Sequence, residues 1–271
     1  MSSRLSVCAC LIAVLTANSA WAAPPKPKDG PQGIKFMPLP KGTFYMGWDG
    51  TKKGVKTEIK EDFEIGVYTV TQGQWEAVMG KNPSWFSRDG GGKDKVKDIK
   101  DEDLKLFPVE SVSWDDCQEF LKKLNEKEKG WVYRLPSEAE WDYACRGGAT
   151  SEEECSYYFY FAKPTNDLSS KEANFDGRVP FGEGEKGPFL SRTTKVGSYA
   201  PNKLGLYDMH GNVWQWTSSQ EGASRRILRG CGWGSPGMDC QAANRHVVAP
   251  SSRRTFLGLR LARVPSPPAG E

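Results

Sequence analysis

The stretch at residues 148–201 limits most strongly what this chain can fold into. It is rich in Gly, Pro, Ser and aromatic residues, and neither the alternation of a strand nor the period of a helix persists in it. A loop of this length in a compact domain is usually functional or is pinned by a metal or a disulfide. The chain also carries 10 Trp, 9 Tyr and 12 Phe, whose large buried areas can substitute for missing regular structure. We therefore expect an aromatic core with few helices and strands.

Short regular elements are expected before this stretch. Thr71 and Ser137 are each followed three residues later by Gln or Glu, the pattern of a capping box, so a helix should begin at each. A further helix is expected from Ser113. Alternating apolar and aromatic residues predict short strands at residues 42–47 and 62–68. This mixture is too sparse for a doubly wound sheet and favours an α+β fold.

The first 22 residues have the layout of a cleavable secretory signal. Arg4 precedes an apolar run at residues 5–15, and Ala20 and Ala22 provide the small residues of a cleavage site. The run is shorter than the roughly 20 residues that span a bilayer. We expect cleavage after Ala22, a secreted or periplasmic protein, and no membrane attachment after cleavage.

One domain is expected at residues 34–264. Pro, Lys and Gly predict a flexible leader at residues 23–33, and residues 265–271 are expected to form a frayed tail. The net charge of +3 comes from Lys and Arg scattered among almost as many acids. Such a balance argues against nucleic acid and anionic membranes as partners, and we expect a monomer.

Cysteine usage bears on both stability and chemistry. Five cysteines follow the predicted signal: Cys117, Cys145, Cys155, Cys231 and Cys240. In an oxidising compartment nearby thiols form disulfides, and an odd number leaves at least one thiol free or bonded to another molecule. Cys145 and Cys155 flank a short polar loop and could bond, as could Cys231 and Cys240, which flank a glycine-rich loop. Cys117 would then be free and buried, and a Cys231 to Cys240 bond would remove the only plausible catalytic thiol.

Several motifs carry a family resemblance, and they read Tyr133-Arg-Leu-Pro-Ser-Glu-Ala-Glu-Trp141, Gly205-Leu-Tyr-Asp-Met-His-Gly-Asn-Val-Trp-Gln-Trp216, Arg229-Gly-Cys-Gly-Trp-Gly-Ser-Pro-Gly-Met-Asp-Cys240 and Gly258-Leu-Arg-Leu-Ala262. With them the chain, from about Ile34 to Arg263, resembles the formylglycine-generating enzyme (sulfatase-modifying factor) family. The resemblance implies a single domain with a C-type-lectin-like α+β fold and low regular secondary structure.

The resemblance also implies a copper site in the last of the long motifs. In the sulfatase-activating members, two cysteines there bind copper(I). In register with Arg229 and Trp233, the second cysteine is Cys240, and Ser235 stands in place of the first. A serine hydroxyl is a hard, protonated ligand and a poor substitute for a thiolate at copper(I). The candidate catalytic residues are therefore Cys240, Ser235 and Cys231, the last as a replacement ligand.

A calcium site is expected between residues 208 and 215. Oxygen donors alternate there with a glycine that lets the backbone turn carbonyls inward, as a hard cation requires. The resemblance places ligands at the side chains of Asp208 and Gln215 and at the carbonyls of Gly211 and Val213. Gln215 stands where the family usually has Glu, so the site lacks one negative charge and its affinity should fall.

The loop at residues 231–254 is expected to line the exposed pocket of such a fold. Its candidate ligand-binding residues are Trp233, Asn244, Arg245 and His246, because aromatic and Arg side chains on a braced loop are typical of recognition sites. The other histidine, His210, lies within the calcium turn and is expected to pack or to hydrogen-bond.

Two classes of function follow. The first is an exported family member that acts by binding a peptide, a protein, a glycan or a cell-surface ligand. The alternative is a copper- or thiol-dependent oxidoreductase that converts a substrate cysteine to formylglycine, or an oxidative tailoring enzyme. The two classes differ in one structural requirement. The oxidoreductase needs the sulfurs of Cys231 and Cys240 to reach one metal, and the binding protein does not.

Overall fold

The computed structural model describes residues 25–48 and 50–267, and the predicted signal peptide lies outside them. Among the described residues, no helix has the length and apolar character that crossing a membrane needs. The α-helices of this part are α1 (Gln72–Met79), α2 (Asp101–Leu104), α3 (Trp114–Lys127) and α4 (Glu138–Cys145). Its strands are β1 (Lys28–Asp29), β2 (Lys35–Leu39), β3 (Gly42–Met46), β4 (Val55–Ile59), β5 (Phe63–Gly66), β6 (Trp131–Arg134), β7 (Phe159–Tyr160), β8 (Pro164–Thr165), β9 (Trp214–Glu221), β10 (Arg225–Arg229), β11 (Arg245–Val248), β12 (Leu257–Leu259) and β13 (Ala262–Pro265).

The three longer helices begin where the sequence predicts. Thr71, Ser113 and Ser137 each accept a hydrogen bond from the third backbone N–H of the helix, and the side chain of that third residue accepts one in return. These capping boxes satisfy N–H groups that have no partner within the helix. α1 stops at Gly80, whose φ of 76° is a left-handed conformation that glycine adopts without strain. The predicted strands at residues 42–47 and 62–68 are likewise present as β3 and β5.

Two larger sheets form the body of the domain. One has the strand order β1-β2-β5-β13-β6, so the last strand of the chain lies between strands from its first half. The other has the order β11-β10-β9-β12, with β9 and β12 parallel. β3 with β4 and β7 with β8 form two small ribbons. The fold is therefore a single α+β domain, as the sequence predicts, and in the described residues its strands outnumber its helices.

The N-terminal segment differs from its expected flexible form. Lys28 and Asp29 pair with Phe36 and Lys35 as an antiparallel edge of the first sheet. Lys28 also forms an ion pair with the buried Glu64, at 2.5 Å. Composition predicts a leader here, but backbone pairing with β2 holds residues 28–29 in place.

The long aperiodic stretch is fixed by buried amide side chains. Between β8 and β9 it forms no helix or strand apart from an isolated bridge. The Asn212 side chain accepts hydrogen bonds from Thr194 N at 3.0 Å and Asn174 Nδ2 at 3.2 Å, and donates to the Thr194 carbonyl at 3.1 Å. Such bonds satisfy backbone groups that no sheet or helix pairs. This loop therefore lies against the segment that leads into β9.

Candidate functional site

The segment from β10 to β11 is closed by a disulfide. Cys231 and Cys240 are bonded, and both are fully buried. Cys240 ends a short 3-10 turn, Gly237–Cys240, and its carbonyl accepts a hydrogen bond from His210 Nδ1 at 2.7 Å. Of the two bonds that the cysteine spacing allows, the structure forms this one.

The other predicted bond is absent, because its two sulfurs have separate surroundings. Cys145 Sγ lies 3.5 Å from His210 Nε2, whereas Cys155 Sγ points at the carbonyl of Ala149, also at 3.5 Å. Both thiols are free and buried, and so is Cys117, as the sequence predicts. Burial raises the pKa of all three thiols, so none is an activated nucleophile.

A pocket of about 480 Å³ opens beside the disulfide loop, the loop at residues 231–240 that the Cys231–Cys240 bond closes. Its lining residues come from five separate segments, and they are Phe189, Trp214, Trp233, Gly234, Ser235, Pro236, Asp239, His246, Thr255 and Phe256. The volume lies within the usual range for small-molecule sites. Of the residues predicted to bind a ligand, Trp233 and His246 line it, and the candidate catalytic residue Ser235 does so too.

Trp233 is held rigidly in the wall of this pocket. Its Nε1 donates to the Thr255 carbonyl at 2.9 Å, and its backbone N–H donates to Asn212 at 2.9 Å. The ring stacks on Phe189, with centroids 5.9 Å apart, and meets Phe86 edge to face at 5.4 Å. Phe86 belongs to a small separate core, so Trp233 joins the pocket to that core.

Ser235 is occupied as a hydrogen-bond acceptor. Its hydroxyl accepts from Trp214 Nε1 and from the backbone N–H of Gly232, both at 3.3 Å. The sulfur of Cys240 is tied to Cys231 in the disulfide. Copper(I) prefers thiolates, and a hydroxyl beside a disulfide provides none. These residues, as the structure arranges them, do not fit a copper(I) site.

The other two predicted ligand-binding residues do not line the pocket. Arg245 forms ion pairs with Glu138 at 3.0 Å and Glu221 at 2.9 Å and begins β11. Asn244 donates to the Asp239 carbonyl at 3.0 Å and accepts from the Arg245 N–H at 3.0 Å. Both side chains hold the sheet and its loop together.

The predicted calcium turn surrounds a buried guanidinium. Gln215 Oε1 accepts hydrogen bonds from Trp141 Nε1 at 2.8 Å and Arg260 Nε at 2.9 Å, which leaves it no lone pair for a metal. The Asp208 carboxylate accepts from Gly197 N at 2.9 Å, and burial raises its pKa to about 6. Gln215 therefore does not fit a calcium ligand in this arrangement.

His210 is a buried hydrogen-bonding residue, as expected. Its Nε2 accepts from the Tyr160 N–H at 2.9 Å, so Nδ1 carries the proton that is donated to Cys240. Burial lowers its pKa to about 4. The ring is neutral near pH 7 and connects two loops.

Residue patterns alone did not identify four of the residues that line the pocket. Trp214 stands in one of the family motifs, where no binding role is predicted for it, and Phe256 carries no signal of its own. Phe189 lies in the long aperiodic stretch, whose length was the sign of a functional loop. Asp239 lies next to Cys240 in the last long motif, in which the predicted site residues are the two cysteines and Ser235.

A family model described as the sulfatase-modifying factor enzyme 1-like domain matches residues 22–265. Together with the α+β fold and the pocket beside the disulfide loop, this match defines the class of protein. The chain belongs to the sulfatase-modifying factor family.

Individual relatives differ in how much of them this chain covers. The chaperone protein LppX of Paenibacillus barcinonensis is 32% identical over 206 residues, which is 64% of this chain and 69% of the relative. The inactive C-alpha-formylglycine-generating enzyme 2 of Bos taurus is 33% identical over 61% of this chain, which spans only 53% of that protein. Among solved structures, Treponema denticola variable protein 1 has a TM-score of 0.69 at 24% identity, covering 88% of this chain and 99% of its own. That structure supports the fold alone.

Proposed function

We propose that this domain binds a ligand or a protein through the pocket beside the disulfide loop, and does not oxidise cysteine at a copper pair. The observation that carries the proposal is the donor set. The disulfide holds the sulfur of Cys240, the Ser235 hydroxyl accepts from Trp214, and no thiolate lines the pocket among the described residues. A rigid aromatic wall remains, which serves binding without further chemistry.

The printed names of two relatives agree with this proposal. One is called a chaperone protein and another an inactive formylglycine-generating enzyme. Function depends on the residues of a site and not on the fold, so these names support the proposal only alongside the altered donor set.

We also propose that the domain works outside the cytoplasm. The disulfide between Cys231 and Cys240 favours an oxidising compartment, and the layout of residues 1–22 favours export. The partner would then be a secreted or surface peptide, protein or small ligand.

Calcium at the turn between residues 208 and 215 is a separate proposal. The Asp208 carboxylate and the carbonyls of Gly211 and Val213 would supply the oxygens, without Gln215. Calcium bound there would stabilise the segment that leads into β9, and no chemistry depends on it.

The experiment for the binding proposal is an oxidation assay read by mass spectrometry. The protein, both as purified and after mild reduction, is incubated with copper(I), oxygen and a peptide containing Cys-x-Pro-x-Arg. We expect no conversion of the peptide cysteine to the aldehyde in either form. Conversion that disappears in Cys240→Ala and in Cys231→Ala would show a rearranged copper site and overturn the proposal.

A further inference from the structure

We propose that the pocket binds an organic cation, an alkylammonium or guanidinium group, held between its aromatic rings and the carboxylate of Asp239. This inference rests on the proposed binding function and names its ligand class. The same chemistry occurs in free amines and in Lys or Arg side chains of a polypeptide.

Aromatic rings form most of the apolar wall. Phe189, Trp214, Trp233 and Phe256 come together from separate segments. The face of an aromatic ring carries partial negative charge and attracts a cation that lies within about 6 Å of its centroid, with Trp the most favourable ring. Several rings around one cavity can therefore replace part of the hydration of an ammonium group.

Asp239 supplies the charge that distinguishes a cation from an apolar ligand. Its backbone is fixed, because its N–H donates to the Pro236 carbonyl at 3.0 Å and its carbonyl accepts from Asn244 at 3.0 Å. Asp239 is one of the residues that line the pocket, and its carboxylate has no hydrogen-bond donor or ion-pair partner in the described part of the chain. A half-buried carboxylate without a partner gains most from a cationic ligand.

The neighbouring cation does not oppose this charge. Arg178 lies outside the pocket, and its Nε and Nη2 each donate to the Asp176 carboxylate at 2.8 Å. The guanidinium of Arg178 lies 4.3 Å from the centroid of Phe189. Phe189 therefore already holds one cation and stacks on Trp233, which leaves Trp214, Trp233 and Phe256 as the rings for a ligand. The pairing of Arg178 with Asp176 neutralises the charge that would repel a second cation.

His246 is the remaining titratable group of the lining. Its ring lies against Trp214, with the centroids 5.7 Å apart. It adds a further π surface to the four aromatic rings and leaves Asp239 as the only carboxylate among the lining residues.

Another large cavity in the described part offers a contrast. Its volume is about 540 Å³, and its lining includes Lys100, Arg192 and Lys195 together with Asp98 and Asp103. Lys195 is paired with Asp103 at 2.8 Å. This mixed and mostly paired lining has no ring cage, so the aromatic pocket is the better site for an organic cation.

The test compares two ligands of nearly equal shape. Choline and 3,3-dimethylbutan-1-ol differ in having nitrogen or carbon at the quaternary centre, and ligand-observed NMR titration of the full chain measures both. We expect choline to bind with a millimolar dissociation constant and the neutral alcohol at least about fivefold more weakly. Equal binding of the two, or no binding of choline, would overturn the proposal.

The variant Asp239→Asn tests the role of the carboxylate with a matched control. The substitution keeps the shape and removes the charge, and we expect choline to bind about fivefold more weakly. Asp115→Asn removes an exposed carboxylate from the first turn of α3, outside the pocket, and should leave choline binding unchanged. An unchanged affinity in Asp239→Asn would rule out the assigned role of that residue.

Two further ligands separate the sources of the cation. Acetyl-lysine-methylamide with a free ε-amine represents a polypeptide side chain, and its ε-acetylated form is the neutral control. Tighter binding of the lysine derivative than of choline favours a protein partner, and the reverse favours a small amine. Oxidation of the sulfatase-type peptide would overturn the proposed function, whereas a pocket that takes only neutral ligands would overturn this inference alone.

Discussion

At the residue scale, Arg260 shows how one buried side chain can organise several loops. Its guanidinium donates to Gln215 Oε1 and to the carbonyls of Gly66, Val67 and Tyr207, at 2.5 to 2.9 Å. No carboxylate side chain accepts from it in the described residues. Burial lowers its pKa to about 10, so it remains charged near pH 7. Arg260 therefore has a structural role in its motif, because its hydrogen bonds to backbone carbonyls hold three backbone positions together.

Glu110 is a second buried charged residue that forms no ion pair within the described residues. It is fully buried, and its carboxylate accepts from Phe86 N at 2.8 Å and from Ser111 Oγ at 2.7 Å. Burial raises its pKa to about 7 despite these donors. Phe86 in turn touches Trp233, so Glu110 supports the loop behind the pocket.

The raised pKa of Glu110 predicts a loss of stability as pH rises. Below pH 4.5 both the folded and the unfolded states hold the proton. Between 4.5 and about 7 the unfolded state releases it first, so the free energy of unfolding falls, by roughly 3 kcal/mol in total. Asp208 and His210 titrate in the same pH range in both proteins, so the prediction concerns the difference in the free energy of unfolding between the wild type and Glu110→Gln. Urea unfolding across this range should show that difference falling as pH rises. Asp115→Asn is the control, and a slope unchanged in Glu110→Gln would contradict the assignment.

At the element scale, the capping boxes of α1, α3 and α4 were predictable because each involves hydrogen bonds within four residues of the chain. The hydrogen bonding of the turn before β9 was less predictable. Its oxygen pattern predicts calcium, but the sequence did not reveal that Trp141 and Arg260 would occupy the Gln215 amide. Those donors come from α4 and from the residue after β12, far away in the chain.

This arrangement of the turn predicts weak calcium binding. The Asp208 carboxylate brings one negative charge, Arg260 already places a positive charge nearby, and Gln215 contributes no free oxygen. We expect a dissociation constant for calcium on the order of 1 mM, and we expect calcium binding to be lost in Asp208→Asn. Isothermal titration calorimetry of chelator-treated protein measures both. Micromolar affinity would mean that Gln215 Oε1 breaks its hydrogen bonds with Trp141 and Arg260 and binds the metal instead.

At the scale of the whole molecule, aromatic packing replaces regular structure. Trp75, Trp141 and Trp216 are fully buried, each in one of the two larger cores. Each buries a large area, and an indole N–H that is buried is normally hydrogen-bonded. Trp141 and Trp216 follow that rule by donating to Gln215 and to the Val112 carbonyl. Large aromatic side chains therefore fill much of the core where helices and strands are few.

The distribution of cysteines predicts a definite thiol count. In protein lacking residues 1–22, Cys117, Cys145 and Cys155 are buried thiols, and Cys231 and Cys240 are bonded. We expect Ellman's reagent to find no reactive thiol in the folded state and three after unfolding in guanidinium without a reductant. A count of one after unfolding would mean that two of these three cysteines are bonded as well, contrary to the structure.

The sequence by itself determined the family motifs, the helix starts and the class of fold. These depend on hydrogen bonds and alternation between neighbouring residues, which act over a few positions. Only the tertiary structure decided that Phe189 and Phe256 join Trp214 and Trp233, that Arg245 serves the sheet, and that Cys231 bonds Cys240. These outcomes depend on which distant segments pack together, and that choice is made by burial over the whole chain and not by any local pattern.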